Sequence, residues 1–162
     1  MSKIISHSDQ QTKKIAQQFI AKLKGPAVLG LVGDLGAGKT QFTKGLAAAL
    51  QIKNRLTSPT FVLLKPYKVA RSEQGIKKLI HIDCYRLSHP EELLALGWQE
   101  LLTDQNLIVV EWADKIKSIM PADTLWINFE YGQRAGERII SIKPKITISK
   151  SKQSSKPKIS SR

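Results

Sequence analysis

With 162 residues, 41% of them hydrophobic, and a single cysteine, Cys84, the chain is sized for one domain with a sizeable core and can form no internal disulfide. No apolar run approaches the roughly 20 residues of a bilayer span, and the first residues lack a secretory apolar stretch, so the cytoplasm is the expected location. Of the formal charge of +13, seven basic residues lie between Lys143 and Arg162 with no acid among them, and without these +6 remains.

The expected organisation is one domain over 1–145 and a basic, disordered tail over 146–162, where Ser and Lys dominate and little can be buried. Its charge suits attraction to RNA or another polyanion, but the lack of any interleaved aromatic or base-reading residue favours a solvated, charge-bearing end.

In chain order, Ser8 can cap a first helix, with Gln11 completing a capping box and Ile15, Phe19, Ile20 and Leu23 on one face; Gly25-Pro26 stops it. The apolar run 27–32 reads as a buried strand, and Phe42, Leu46 and Leu50 give helical spacing over 41–50. Strand-like stretches at 61–69 and 77–85 flank a polar 70–75, a plausible hairpin. Ser88 can cap a helix from Pro90 to about Leu102, with proline in its first turn. A short apolar strand, 107–110, ends in Glu111, and stretches 124–131 and 138–142 form a closing hairpin around Gly132 and Gly136. This alternation implies an α/β sandwich with a mixed, mainly parallel sheet plus antiparallel hairpins, and the glycine-rich turn 33–40 between strand and helix, Gly33-x-x-x-x-Gly38-Lys39-Thr40, makes it P-loop NTPase-like. The strand ends bearing Gly33 and Glu111 are expected to meet at a ligand.

Between the first buried strand and the next helix stands Gly33-Asp34-Leu35-Gly36-Ala37-Gly38-Lys39-Thr40, which satisfies the phosphate-binding pattern G-x-x-x-x-G-K-[ST] at every position. Successive N–H groups in such a turn make an anion-binding hollow, and the helix behind it adds unpaired donors and a positive dipole end. Lys39 is suited to the β- and γ-phosphates of ATP, and the Thr40 hydroxyl to Mg²⁺. A carboxylate opposite the loop helps to place the metal, and Glu111 supplies one; the alternative is an exposed acid at a strand end.

Within 81–86, His81-Ile82-Asp83-Cys84-Tyr85-Arg86, strand alternation puts His81, Asp83 and Tyr85 on one face, where a carboxylate can orient a water or touch the metal shell. His81 reads as a hydrogen-bonded structural histidine, since no second ligand pair with zinc spacing exists; Cys84 reads as a small buried apolar residue. A small-molecule kinase is a competing class, but Arg134 and Arg138 sit in a hairpin and not in a lid-like insertion. A nucleotide-gated RNA-binding module using the basic tail is another.

The loop motif, Ser58-Pro59-Thr60-Phe61, His81-x-Asp83-x-Tyr85-Arg86, Pro90-Glu91-Glu92-Leu93 and Glu111-Trp112 occur in the order found in TsaE (YjeE-type) ATPases, which the chain resembles from about Ser8 to Lys143. The resemblance implies an ATPase of tRNA threonylcarbamoyladenosine formation, working with TsaD and TsaB on the adenosine 3′ of the anticodon in ANN-decoding tRNAs, with tRNA engaged through the complex. It implies ATP phosphates on Lys39 and on the backbone of Asp34, Leu35, Gly36, Ala37, Gly38 and Thr40, and Mg²⁺ on Thr40 and Glu111. It further implies Lys39, Asp83 and Glu111 as catalytic groups, a switch segment at 58–61 with Thr60 near the γ-phosphate, and Trp112 beside the site. Thr12 and Arg138 resemble peripheral nucleotide contacts. Cys84 and Lys65-Pro66 depart from the family pattern away from the phosphate chemistry, and the tail beyond Lys145 has no counterpart in it.

Overall fold

The computed structural model describes residues 2–54, 56–59, 63–70 and 72–143; the tail expected over 146–162, and Thr60 and Phe61, lie outside the described residues. The elements run β1 (Ser2–Ser6), α1 (Asp9–Lys22), β2 (Ala27–Gly33), α2 (Lys39–Ala49), β3 (Leu64–Lys68), β4 (Lys78–Asp83), α3 (Pro90–Leu94), α4 (Trp98–Leu101), β5 (Asn106–Glu111), a 3₁₀ segment (Ala113–Ile119), β6 (Leu125–Tyr131) and β7 (Arg138–Ile142).

The described strands form one mixed sheet in the order β1-β7-β6-β2-β5-β4-β3. Its centre, β6-β2-β5-β4, is parallel, and β3, β7 and β1 pair antiparallel at the flanks. The apolar runs explain the centre. All six residues of β5 are buried, because helices cover both faces of a parallel core. Leu29, Leu31, Leu107 and Val109 face α1 and α2, whereas Ile80, Ile82, Ile108 and Val110 face α3, α4 and the 3₁₀ segment. Phe42 of α2 packs edge-on to Phe19 and Phe129, with ring centroids 5.8 and 5.5 Å away; burying such a ring contributes about 2–3 kcal/mol.

Most expected elements form, with local departures. Ser8 caps α1 by accepting from the Gln11 N–H at 3.1 Å, but the Gln11 side chain accepts from the N–H of His7, one residue earlier than a capping box requires. The helix expected over 90–102 is two short helices, because Gly97 takes φ +80, a left-handed conformation no helix interior accommodates. His89, not Ser88, is the cap residue of α3, and Glu92 reaches back to the N–H groups of both, at 2.8 and 3.0 Å. Strand β4 stops at Asp83, and α2 begins at Lys39, earlier than the apolar spacing suggested. Strand β1 was not anticipated; it adds to the edge of β7.

Candidate nucleotide-binding site

Parallel pairing of β2 with β5 sets Leu31 beside Glu111, so the glycine turn leaving β2 and the acid ending β5 emerge at the same edge of the sheet. Gly33 begins the turn at φ +144, and a Cβ there would lie 2.3 Å from the Phe129 carbonyl oxygen; only glycine fits. The helical ladder of α2 starts with the Phe42 N–H donating to Gly38 O at 2.9 Å, which leaves the N–H groups ahead of it outside the ladder, at the positive end of the helix. Beside them opens a cleft of about 440 Å³, lined by the loop, Ser58, Asp83, Tyr85, Glu111 and Trp112.

Lys39 is almost wholly buried, at 4% exposure. Its ammonium donates to the carbonyls of Gly33 and Asp34, the latter at 2.8 Å, and lies 3.8 Å from the centroid of the Trp112 ring. Burial lowers its pKa below the usual lysine value, with Glu111 and Asp83 acting in the opposite direction.

Glu111 is no exposed strand-end acid: it is 2% exposed. A buried carboxylate is costly without donors; two side chains supply them, and a third shares its hydroxyl hydrogen between this carboxylate and a backbone carbonyl. Thr40 Oγ1 donates to Oε2 at 2.8 Å, His81 Nε2 bonds Oε1 at 2.8 Å, and Thr43 Oγ1 approaches Oε1 at 3.4 Å while bonding Lys39 O at 3.1 Å. His81 is thus hydrogen-bonded, as expected, but to the site's own carboxylate. Among the described residues no group of three or more His, Cys, Asp or Glu side chains could hold a metal. The hard-oxygen pair Thr40 and Glu111, completed by phosphate and water oxygens, is the donor chemistry that suits Mg²⁺.

Asp83, 4% exposed, accepts from Ser58 Oγ at 2.7 Å and from the Tyr85 N–H at 3.0 Å. Tyr85 lies beyond the strand and tilts against Trp112, centroids 5.1 Å apart. Trp112 takes φ +59, a strained conformation for a bulky residue. Arg138 reaches the loop from β7: its Nε and Nη2 donate to Gly36 O at 3.2 and 3.1 Å, while Tyr131 Oη donates to Leu35 O. Thr12 lies beneath the loop, buried, its hydroxyl 2.8 Å from that of Ser6 and its methyl toward Gly38. The structure therefore brings Leu35, Gly36, Gly38, Lys39, Thr40, Asp83, Glu111, Trp112 and Arg138 to the lining of one cleft, whereas Asp34 and the fully buried Ala37 belong to the same turn without lining it. Thr60 lies outside the described residues. Thr43 and Tyr131 were not singled out, and only Thr43, one helical turn beyond Thr40, carried a sequence signal; Tyr85 does reach the cleft, but from beyond the end of β4 and not from the strand face expected to hold it with His81 and Asp83.

The family model described as "Threonylcarbamoyl adenosine biosynthesis protein TsaE" matches residues 6–140. The tRNA threonylcarbamoyladenosine biosynthesis protein TsaE of Bacillus subtilis is 41% identical over 128 residues, covering 79% of this chain and 75% of the relative. That of Treponema pallidum is 37% identical over 124 residues, covering 76% and 87%. The crystal structure of Bacillus subtilis YdiB superposes with a TM-score of 0.64 at 32% identity, over 87% of this chain and 83% of that one, and supports the P-loop NTPase-like fold. With a matching family model over most of its length and relatives this similar, the chain belongs to the TsaE family, whose members function in tRNA threonylcarbamoyladenosine biosynthesis.

Proposed function

We propose that the chain is a P-loop ATPase whose nucleotide cycle resets a TsaD–TsaB complex between rounds of threonylcarbamoyl transfer to the adenosine 3′ of the anticodon in ANN-decoding tRNAs. The observation that carries this reading is the 2.8 Å bond from Thr40 Oγ1 to Glu111 Oε2, in the lining of a cleft that also holds the buried Lys39 ammonium. Bound Mg²⁺–ATP supplies an activated γ-phosphoryl group whose negative charge is shared with the metal. Lys39 exchanges its two carbonyl partners for phosphate oxygens, and the loop N–H groups complete the cradle. Thr40 and Glu111 hold the cation. Asp83 orients the attacking water through a carboxylate fixed by Ser58 and the Tyr85 N–H. Ser58 belongs to the 57–61 segment, so rearrangement of that segment is felt directly at Asp83 and acts as the switch.

In this reading the threonylcarbamoyl chemistry belongs to TsaD, tRNA is met through the complex, and hydrolysis by the isolated chain is slow because the partners complete the positioning of charge. ATP hydrolysis measured alone and with TsaB and TsaD tests it. Stimulation by the partners is expected; full-speed hydrolysis without them defeats the gating role. A Lys39→Ala protein that binds and hydrolyses ATP normally defeats the site.

A further inference from the structure

The two oxygens of Glu111 are not equivalent. Oε1 accepts from His81 Nε2 at 2.8 Å and faces Thr43 Oγ1 at 3.4 Å, whereas Oε2 accepts from Thr40 Oγ1 at 2.8 Å. His81 is fully buried, and the pair shows 0% and 3% side-chain exposure. A carboxylate that holds a cation is ionised and can only accept, so in that state the proton in the 2.8 Å contact sits on Nε2. The other ring nitrogen, Nδ1, is buried and makes no hydrogen bond among the described residues. The single directed contact of this imidazole is therefore Glu111. Register explains the reach: His81 pairs with Val109 and Asp83 with Glu111, so His81 meets Glu111 diagonally across the β4–β5 pair.

We infer that His81 is a positioning residue: with Thr43 it occupies Oε1, so that Glu111 presents only Oε2 to a divalent cation. This rests on the reading that Thr40 and Glu111 hold Mg²⁺. One available oxygen suits the small octahedral shell of Mg²⁺, which keeps its waters; Ca²⁺ takes more ligands and readily uses both oxygens of a carboxylate. A histidine remote from the phosphates thereby sets which cation the site accepts.

Binding of a fluorescent ATP analogue, measured in EDTA and across Mg²⁺ and Ca²⁺ titrations, tests this with His81→Asn and His81→Gln. The glutamine amide nitrogen reaches about as far as Nε2, whereas the asparagine amide ends near the place of Nδ1. His81→Asn is expected to raise the Mg²⁺ concentration for half-saturation by about tenfold or more, in the range for groups that orient a metal ligand. It leaves binding in EDTA unchanged and narrows the preference for Mg²⁺ over Ca²⁺, and His81→Gln restores both. Equal behaviour of the two variants overturns the inference, as does an asparagine variant that weakens binding equally with and without metal, the mark of a packing role. If His81→Asn does not fold, Thr43→Val, which removes the other donor near Oε1, must shift the Mg²⁺ requirement in the same direction; no shift overturns the inference. A wild type whose nucleotide binding ignores Mg²⁺ instead fails the magnesium reading itself and takes this inference with it.

Discussion

The ammonium of Lys39 lies 3.8 Å from the centroid of the Trp112 ring, so the loop cation and the aromatic after Glu111 form one contact inside the cleft. Trp112 is therefore a built-in reporter. Drawing Lys39 toward phosphate is expected to change tryptophan emission when Mg²⁺–ATP is added, and Trp112→Phe removes that change while Trp98 and Trp126 remain. A signal that survives in Trp112→Phe refutes the assignment.

The same lysine predicts a pH response. Its native pKa is lowered, chiefly by burial, from the ordinary lysine value of 10.5. Between the native value and 10.5 the unfolded chain holds a proton the native chain has released. The cost of burying the charged ammonium is thus full below the native pKa and is relieved as pH rises, a contribution that favours folding on the alkaline side. Phosphate binding runs the other way, since it needs the charge. Nucleotide affinity measured as pH is raised should fall before an ordinary lysine would titrate. Lys39→Arg binds more weakly throughout but loses this alkaline fall, because guanidinium stays charged.

Gly33→Ala combines φ +144 with a Cβ placed 2.3 Å from the Phe129 carbonyl oxygen. Backbone strain and a clash with the neighbouring strand together are expected to cost about 3 kcal/mol or more in urea unfolding. A loss below about 1 kcal/mol would mean that β2 and β6 separate with little resistance.

Arg138 donates twice to Gly36 O on the loop's outer side. Removing those bonds in Arg138→Ala is expected to cost about 1 kcal/mol of loop positioning, or about a fivefold loss of nucleotide affinity. Arg138→Lys does not restore it, since a point charge cannot reproduce the planar fork. Isothermal titration of ATP with the three proteins measures the effect.

Burial pushes the Cys84 thiol up to about 12. The native protein should resist alkylation at neutral pH and react only through opening, so the labelling rate follows stability. Labelling of folded protein at the rate of a free thiol contradicts the burial of Cys84 behind β4.

Lys39 and Thr40 were legible in the sequence because a phosphate loop is local: its glycines, lysine and hydroxyl sit at fixed spacing. Glu111 was legible because it directly ends a short, fully apolar run, 107–110, that reads as a buried strand. The contact between His81 and Glu111 was not, because it depends on β4 and β5 lying side by side in one register, which no local pattern encodes. Strand β1 escaped notice for a related reason: Ser2–Ser6 is short and half polar, and only its pairing with β7 makes it a strand. The break at Gly97 was hidden by apolar residues on either side that suit one helix as well as two. Ser8, by contrast, announced its cap, because a serine hydroxyl three residues before a backbone donor is a short-range signal.

Helix α2 meets the carboxylate of Glu111 at two successive levels, through Thr40 and Thr43. Two rungs fix what one would leave free to swivel: the helix can neither turn about its axis nor slide along β5 without breaking a contact to a sheltered charge. News of whatever occupies the cleft must then travel outward around this stiff block, along the Ser58–Asp83 side or over the rim where Arg138 and Tyr131 grip the loop.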